Sequence, residues 1–158
     1  MAPKIRVGLV GASPTGAGAG WAQKAHLPAL RALPDYELKA VCTAHEATAQ
    51  AAREVYGAEL AYDNINDIVA NPDIDLIVVS VRVPIHHSLV MTSLRAGKPT
   101  FCEWPLAANL AQAREMASLA HDMGLATAAG LQSRSDPVVL YAKELIQDGL
   151  LAKCSRRT

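Results

Sequence analysis

Ile5-Arg6-Val7-Gly8-Leu9-Val10-Gly11-Ala12-Ser13-Pro14-Thr15-Gly16-Ala17-Gly18-Ala19-Gly20 is the stretch that decides the fold. Residues 5–10 are short, β-branched and apolar, and they run directly into a glycine-rich segment and then an Ala-rich helical one. The order is strand, glycine loop, helix. A glycine at position 11 permits a tight turn at the strand's end, and the helix that follows turns unpaired N–H groups and its positive dipole end toward the loop. Such a loop is suited to a pyrophosphate. The pattern departs from G-x-G-x-x-G because Ser13 stands at the second glycine, with Gly16 at the third position.

Outward from this loop the same alternation continues. Strands are expected at 38–42, 60–62, 76–81, 100–102 and 125–129. Helices are expected at 45–56, 65–70, 85–96, 107–123 and 137–148, several of them ending on a glycine that can take the left-handed C′ conformation. The run Leu76-Ile77-Val78-Val79-Ser80-Val81 is the most strand-like in the chain and is expected at the sheet's centre. Crossover helices between strands require a mostly parallel sheet covered on both faces. The fold class is α/β, a doubly wound Rossmann-like domain over residues 1–150. Residues 151–158 turn basic and polar and are read as a frayed or truncated tail.

Composition narrows the function. The chain has 158 residues, 51% of them hydrophobic, enough for one core of ordinary size, and Lys+Arg 15 balances Asp+Glu 15. Zero net charge removes the broad basic field that non-specific nucleic-acid binding needs, so no direct nucleic-acid partner is expected. No apolar run reaches the roughly 20 residues of a membrane span, and the expectation is a cytoplasmic protein with no membrane partner. Cys42, Cys102 and Cys154 lack metal-ligand spacing, so neither a zinc site nor a disulfide framework is suggested.

Open sheets of this type bind ligands beyond the carboxyl ends of their strands. Gly11, Ser13 and Gly16 are therefore the candidate phosphate loop of an NAD or NADP site. The second strand ends Cys42-Thr43-Ala44-His45, without the Asp or Glu that usually holds the adenosine ribose. Thr43 tolerates a 2′-phosphate there, or else caps the following helix. Arg82, after the central strand, is a candidate anion holder or a solvated rim charge. Of the adjacent pair His86 and His87, about 100° apart on a helix, His86 is the better candidate to face the cleft, its alternative being a packed helix histidine. Glu103 and Trp104 leave the next strand at the same cleft edge.

Gly97-Lys98-Pro99 through Glu103-Trp104-Pro105-Leu106-Ala107, with Val7-Gly8-Leu9-Val10-Gly11 and His26-Leu27-Pro28-Ala29-Leu30, resembles the nucleotide-binding half of the Gfo/Idh/MocA oxidoreductases. Nearly the whole chain is covered. The resemblance implies an NAD(P)-binding dehydrogenase domain, and the signature A-G-K-x-x-x-x-E-K-P-L-A implies a catalytic lysine where this chain has Trp104. Gly20-Trp21-Ala22-x-Lys24-x-His26, Glu103-Trp104 and Leu131-Gln132-x-Arg134-x-x-Pro137 are more similar to the subgroup around the yeast galactose-pathway corepressor. Family members usually continue into a second α+β domain that closes the substrate pocket, and the expectation is a chain that stops where that domain would begin.

Three functions stay open at this level. One is an NAD(P)-dependent oxidoreductase of impaired turnover, because an indole cannot relay the proton that the family's lysine relays. Another is a dinucleotide-sensing module that turns nothing over, with Trp104 stacking on a ring or filling an interface. The third is a cofactor-independent isomerase, cyclase or dehydratase of a hydrophobic metabolite with His86 and Glu103 as acid and base, the dinucleotide having been lost. The expected partners are a small-molecule ligand and either a second copy of the chain or another protein, because a missing second domain exposes apolar surface.

Overall fold

A computed structural model describes residues 3–14 and 20–150. Gly16 and the tail 151–158 lie outside the described residues. Six strands form one parallel sheet in the order β3-β2-β1-β4-β5-β6. They are β1 (Ile5–Val10), β2 (Tyr36–Cys42), β3 (Leu60–Tyr62), β4 (Leu76–Val79), β5 (Thr100–Glu103) and β6 (Thr127–Gly130). A π-helical segment (Ala22–His26) runs on into α1 (Leu27–Ala32). The other helices are α2 (Glu46–Tyr56), α3 (Ile65–Ala70), α4 (His86–Arg95), α5 (Leu110–Asp122) and α6 (Pro137–Gln147).

The apolar runs of β4 and of residues 7–10 in β1 follow from burial on both faces. Val7 and Leu9 of β1 and Val78 of β4 point to the side covered by α1 and α2, where Leu27, Ala52 and Tyr56 meet them. Val10, Ile77 and Val79 point to the other side, against Ile68 of α3, Val90 and Leu94 of α4 and Met116 of α5. β1 and β4 lie side by side in the middle of the sheet, where β4 was expected from its apolar run. From β1 the winding proceeds one way through β2 and β3, and from β4 the other way through β5 and β6. The reversal falls between β1 and β4.

Several boundaries differ from the sequence expectation, and β2, for one, starts at Tyr36 rather than 38. β4 ends at Val79 rather than at 81: the Ser80 N–H makes a last bond to the Val10 carbonyl of β1 at 2.9 Å, and the chain then leaves the sheet into a 3-10 turn, Val83–Ile85. α5 starts at Leu110 rather than 107, where the Asn109 side chain caps the Gln112 N–H at 3.0 Å. β6 covers Thr127–Gly130 rather than 125–129. α6 is helical as expected but buries none of its residues, leaving Val138, Tyr141 and Ile146 exposed.

The end of the sheet opposite the cleft is fastened by charge. Arg6 donates from Nε and Nη2 to both oxygens of Asp75 at 2.9 Å, and from Nη1 to Asp73 at 2.6 Å. The guanidinium holds the Asp75 carboxyl down to about 2, below its ordinary 3.8. A carboxyl depressed in the folded state stabilises above its unfolded value, and that contribution is lost as pH falls from about 4 toward about 2. The Asp75→Asn variant is therefore expected to show a flatter fall in urea midpoint across that acid window than the parent. The difference is modest because solvent screens a pair this exposed. Parallel midpoint curves for the two proteins would remove this role.

Candidate functional site

The carboxyl ends of four strands open onto one cleft of about 650 Å³ at the point where the winding reverses. Gly11 and Ser13 come from the turn after β1, Thr43 from the end of β2, Arg82 from the loop after β4, and Glu103 and Trp104 from the end of β5. Trp21, at the start of the π-helical segment, and Gln132, after β6, complete its walls. Every candidate site residue named from the sequence lines this cleft except Gly16, outside the described residues, and His86.

Gly11 holds the turn. Its φ is +98°, its N–H donates to the Cys42 carbonyl at 2.8 Å, and a Cβ there would lie 2.2 Å from the Ser80 carbonyl oxygen. Only glycine lets β1 turn this close to the chain leaving β4. Ser13 follows, its carbonyl 3.4 Å from the Tyr56 hydroxyl. Thr43 is buried, and its hydroxyl lies 2.6 Å from that of Thr48 and 3.0 Å from the His45 carbonyl, so it also organises the start of α2. Arg82 is exposed on the cleft wall, and among the described residues no carboxylate is paired with it there.

The two acid–base candidates part company in the structure. His86 is 1% exposed and stands behind the wall, with Nδ1 3.0 Å from the Pro105 carbonyl and Nε2 2.9 Å from the Val81 carbonyl. It ties the Arg82 loop to the turn after Trp104. Glu103 is 7% exposed, faces the cleft, and takes a different histidine as partner: His26 Nε2 lies 2.6 Å from its Oε1. Its Oε2 accepts from Gln132 Nε2. His26 stands edge-on to Phe101, ring centroids 5.5 Å apart.

Trp104 is 60% exposed and Trp21 46%, so two indoles stand in solvent on the walls of the same cleft. The Trp104–Pro105 peptide is cis. A second lobe of about 470 Å³ adjoins the first at Gly11, Thr43 and Ala44 and carries Asp63, from the loop after β3. Burial pushes the Cys42 and Cys102 thiols up to about 12, which keeps both protonated and unreactive at neutral pH.

Sequence reasoning did not assign roles to His26, Gln132, Trp21 or Asp63. His26, Trp21 and Gln132 lie inside the motifs quoted above, but nothing in their spacing joins His26 to Glu103, 77 positions away. For Asp63, which lines the adjoining lobe from the loop after β3, the sequence carried no signal.

A doubly wound parallel sheet with a glycine turn at its reversal point and a cleft spanning both halves defines a dinucleotide-binding α/β domain. The chain belongs to the Gfo/Idh/MocA oxidoreductases: the family described as an oxidoreductase family with an NAD-binding Rossmann fold matches residues 5–131. It is 35% identical over 156 residues to the dehydrogenase aclE of Aspergillus oryzae, covering 97% of this chain and 43% of that protein. It is 33% identical to the galactose/lactose metabolism regulatory protein GAL80 of Saccharomyces cerevisiae, covering 95% of this chain and 36% of that one. Among solved structures, the 3-ketoreductase KijD10 of Actinomadura kijaniata, in complex with NADP and TDP-benzene, superposes with a TM-score of 0.83 at 26% identity, covering 94% of this chain and 43% of that one. The chain thus spans less than half the length of these relatives.

Proposed function

We propose that this chain binds NAD or NADP across the cleft and supports ordinary dehydrogenase turnover poorly. The observation that supports this reading is the convergence of Gly11, Ser13, Thr43, Arg82, Glu103 and Trp104 on one cleft at the reversal point of the sheet. The residues fit such a ligand. Arg82 is the one cation among the described lining residues and is placed to meet an anionic phosphate. The exposed indoles offer faces on which a planar ring can stack. A bound nicotinamide would supply or accept a hydride, and the matching proton would need a relay on the protein.

Trp104 occupies the position of the family's lysine, and its indole N–H cannot accept a proton. Glu103 is the titratable group left at that edge of the cleft and is the acid–base candidate. His86 acts through the wall that it braces. The small-molecule ligand would lie over Glu103 and Trp104. The exposed apolar residues of α6 favour coverage by a second copy of the chain or by a partner protein.

Titration calorimetry with NAD, NADP and their reduced forms tests the reading. Saturable binding of at least one is expected, with little or no change in nicotinamide absorbance when candidate polyols and sugars are added. Absence of heat for all four would overturn it. Rapid turnover would instead overturn the impairment. The kinship to a galactose regulator at 33% identity favours one further reading, a sensing module in which binding itself is the output.

A further inference from the structure

The carboxylate of Glu103 is gripped from three sides. His26 Nε2 occupies Oε1 at 2.6 Å, Gln132 Nε2 occupies Oε2, and the backbone at Gly130 comes so close that a Cβ there would sit 2.6 Å from Oε2. The fourth side faces the cleft. An ionised carboxylate offers about four acceptor positions, and two are used by these partners, so acceptor capacity remains on a group that has almost no freedom to turn. The partners come from separate elements: His26 from the helical segment after the glycine turn, Glu103 from the end of β5, and Gln132 from the turn after β6. The ring of His26 is itself held edge-on by Phe101.

We propose that His26 is a positioning residue of this cleft. By donating to Oε1 it aims the remaining lone pairs of Glu103 at an uncharged O–H or N–H donor on the part of the ligand that lies over β5. This rests on the dinucleotide reading above. Thr43 and Ala44 mark the cleft's end at β2, while Glu103, Trp104 and Gln132 mark its end at β5. A dinucleotide laid across the reversal point with its adenosine half at β2 brings its other half, with a ribose hydroxyl and a carboxamide, to Glu103. Both groups are donors of the required kind.

Calorimetry with ADP, ADP-ribose and NAD on the parent, His26→Phe and His26→Gln proteins tests this. Phe keeps a ring against Phe101 and removes the donor, whereas Gln restores an N–H donor. His26→Phe is expected to weaken NAD binding about tenfold or more while leaving ADP unchanged, as for loss of a hydrogen bond involving a charged group. His26→Gln is expected to recover most of that loss. A matching loss for ADP-ribose assigns the hydroxyl as the donor, and retained ADP-ribose binding assigns the carboxamide. Equal weakening of ADP and NAD, unchanged NAD binding in His26→Phe, or no recovery in a folded His26→Gln protein would each overturn the role of His26. A parent protein that binds ADP, ADP-ribose and NAD alike in affinity would also overturn it while leaving the dinucleotide site standing. Failure of the parent to bind any of the three would remove the dinucleotide reading and this inference with it.

Discussion

Replacing Gly11 by valine is expected to abolish binding of NAD and NADP and to lower the stability of the fold by about 3 kcal/mol or more. The backbone at this position has a φ of +98°, a region that a β-branched residue does not adopt without strain. The added Cβ would lie 2.2 Å from the Ser80 carbonyl oxygen and 2.5 Å from Val81 Cγ1, and both atoms belong to the chain leaving β4. Either β1 and β4 separate or the turn rebuilds, and the two strands are the central pair of the sheet. Binding is lost because the cleft is displaced, before any clash with a ligand arises. Gly20→Ala provides the contrast, since among the described residues nothing lies within 4 Å of a Cβ there and its φ is not positive. Urea denaturation should separate the two variants sharply, the first losing stability and the second keeping it, and calorimetry on the first should show no binding. A Gly11→Val protein that unfolds at the parent's midpoint and binds normally would show that the turn does not carry the site.

β4 was readable because burial on both sides leaves no polar position in it. Ile77, Val78 and Val79 point alternately to two separate cores, so each must be apolar. Its end was less readable, since Ser80 and Val81 continue the apolar pattern and only the pairing of the Ser80 N–H with Val10 shows where the sheet stops. The cleft was readable for a related reason: a parallel sheet gathers the residues after each strand on one edge, so Gly11, Thr43, Arg82 and Trp104 meet without any pairwise signal between them. What periodicity does not encode is which side chains pair across that edge. Glu103 takes His26 because the segment after the glycine turn passes over β5, a relation of three-dimensional path between positions 77 apart. The exposure of α6 was equally hidden, because an apolar helix face reads the same whether its cover lies within the described residues or elsewhere.

His86→Ala is expected to cost about 2–4 kcal/mol of stability, the sum of a cavity at a fully buried ring and of lost partners for buried carbonyls. The ring is 1% exposed, and its two nitrogens lie 2.9 Å and 3.0 Å from the carbonyls of Val81 and Pro105. Both partners are carbonyl oxygens, which only accept, so each contact is a hydrogen bond through a nitrogen that carries a proton. The ring joins the loop that carries Arg82 to the turn that carries Trp104, and removing it frees two walls of the cleft together. Weaker dinucleotide binding should therefore accompany the fall in denaturation midpoint, and stabilising co-solvents that restore the fold should restore much of the binding. A cleft-facing acid or base would behave in the opposite way, with the midpoint nearly unchanged and only proton-transfer chemistry lost. Measuring midpoint and affinity on the same His86→Ala preparation decides between these, because a brace couples the two quantities and a catalytic group does not.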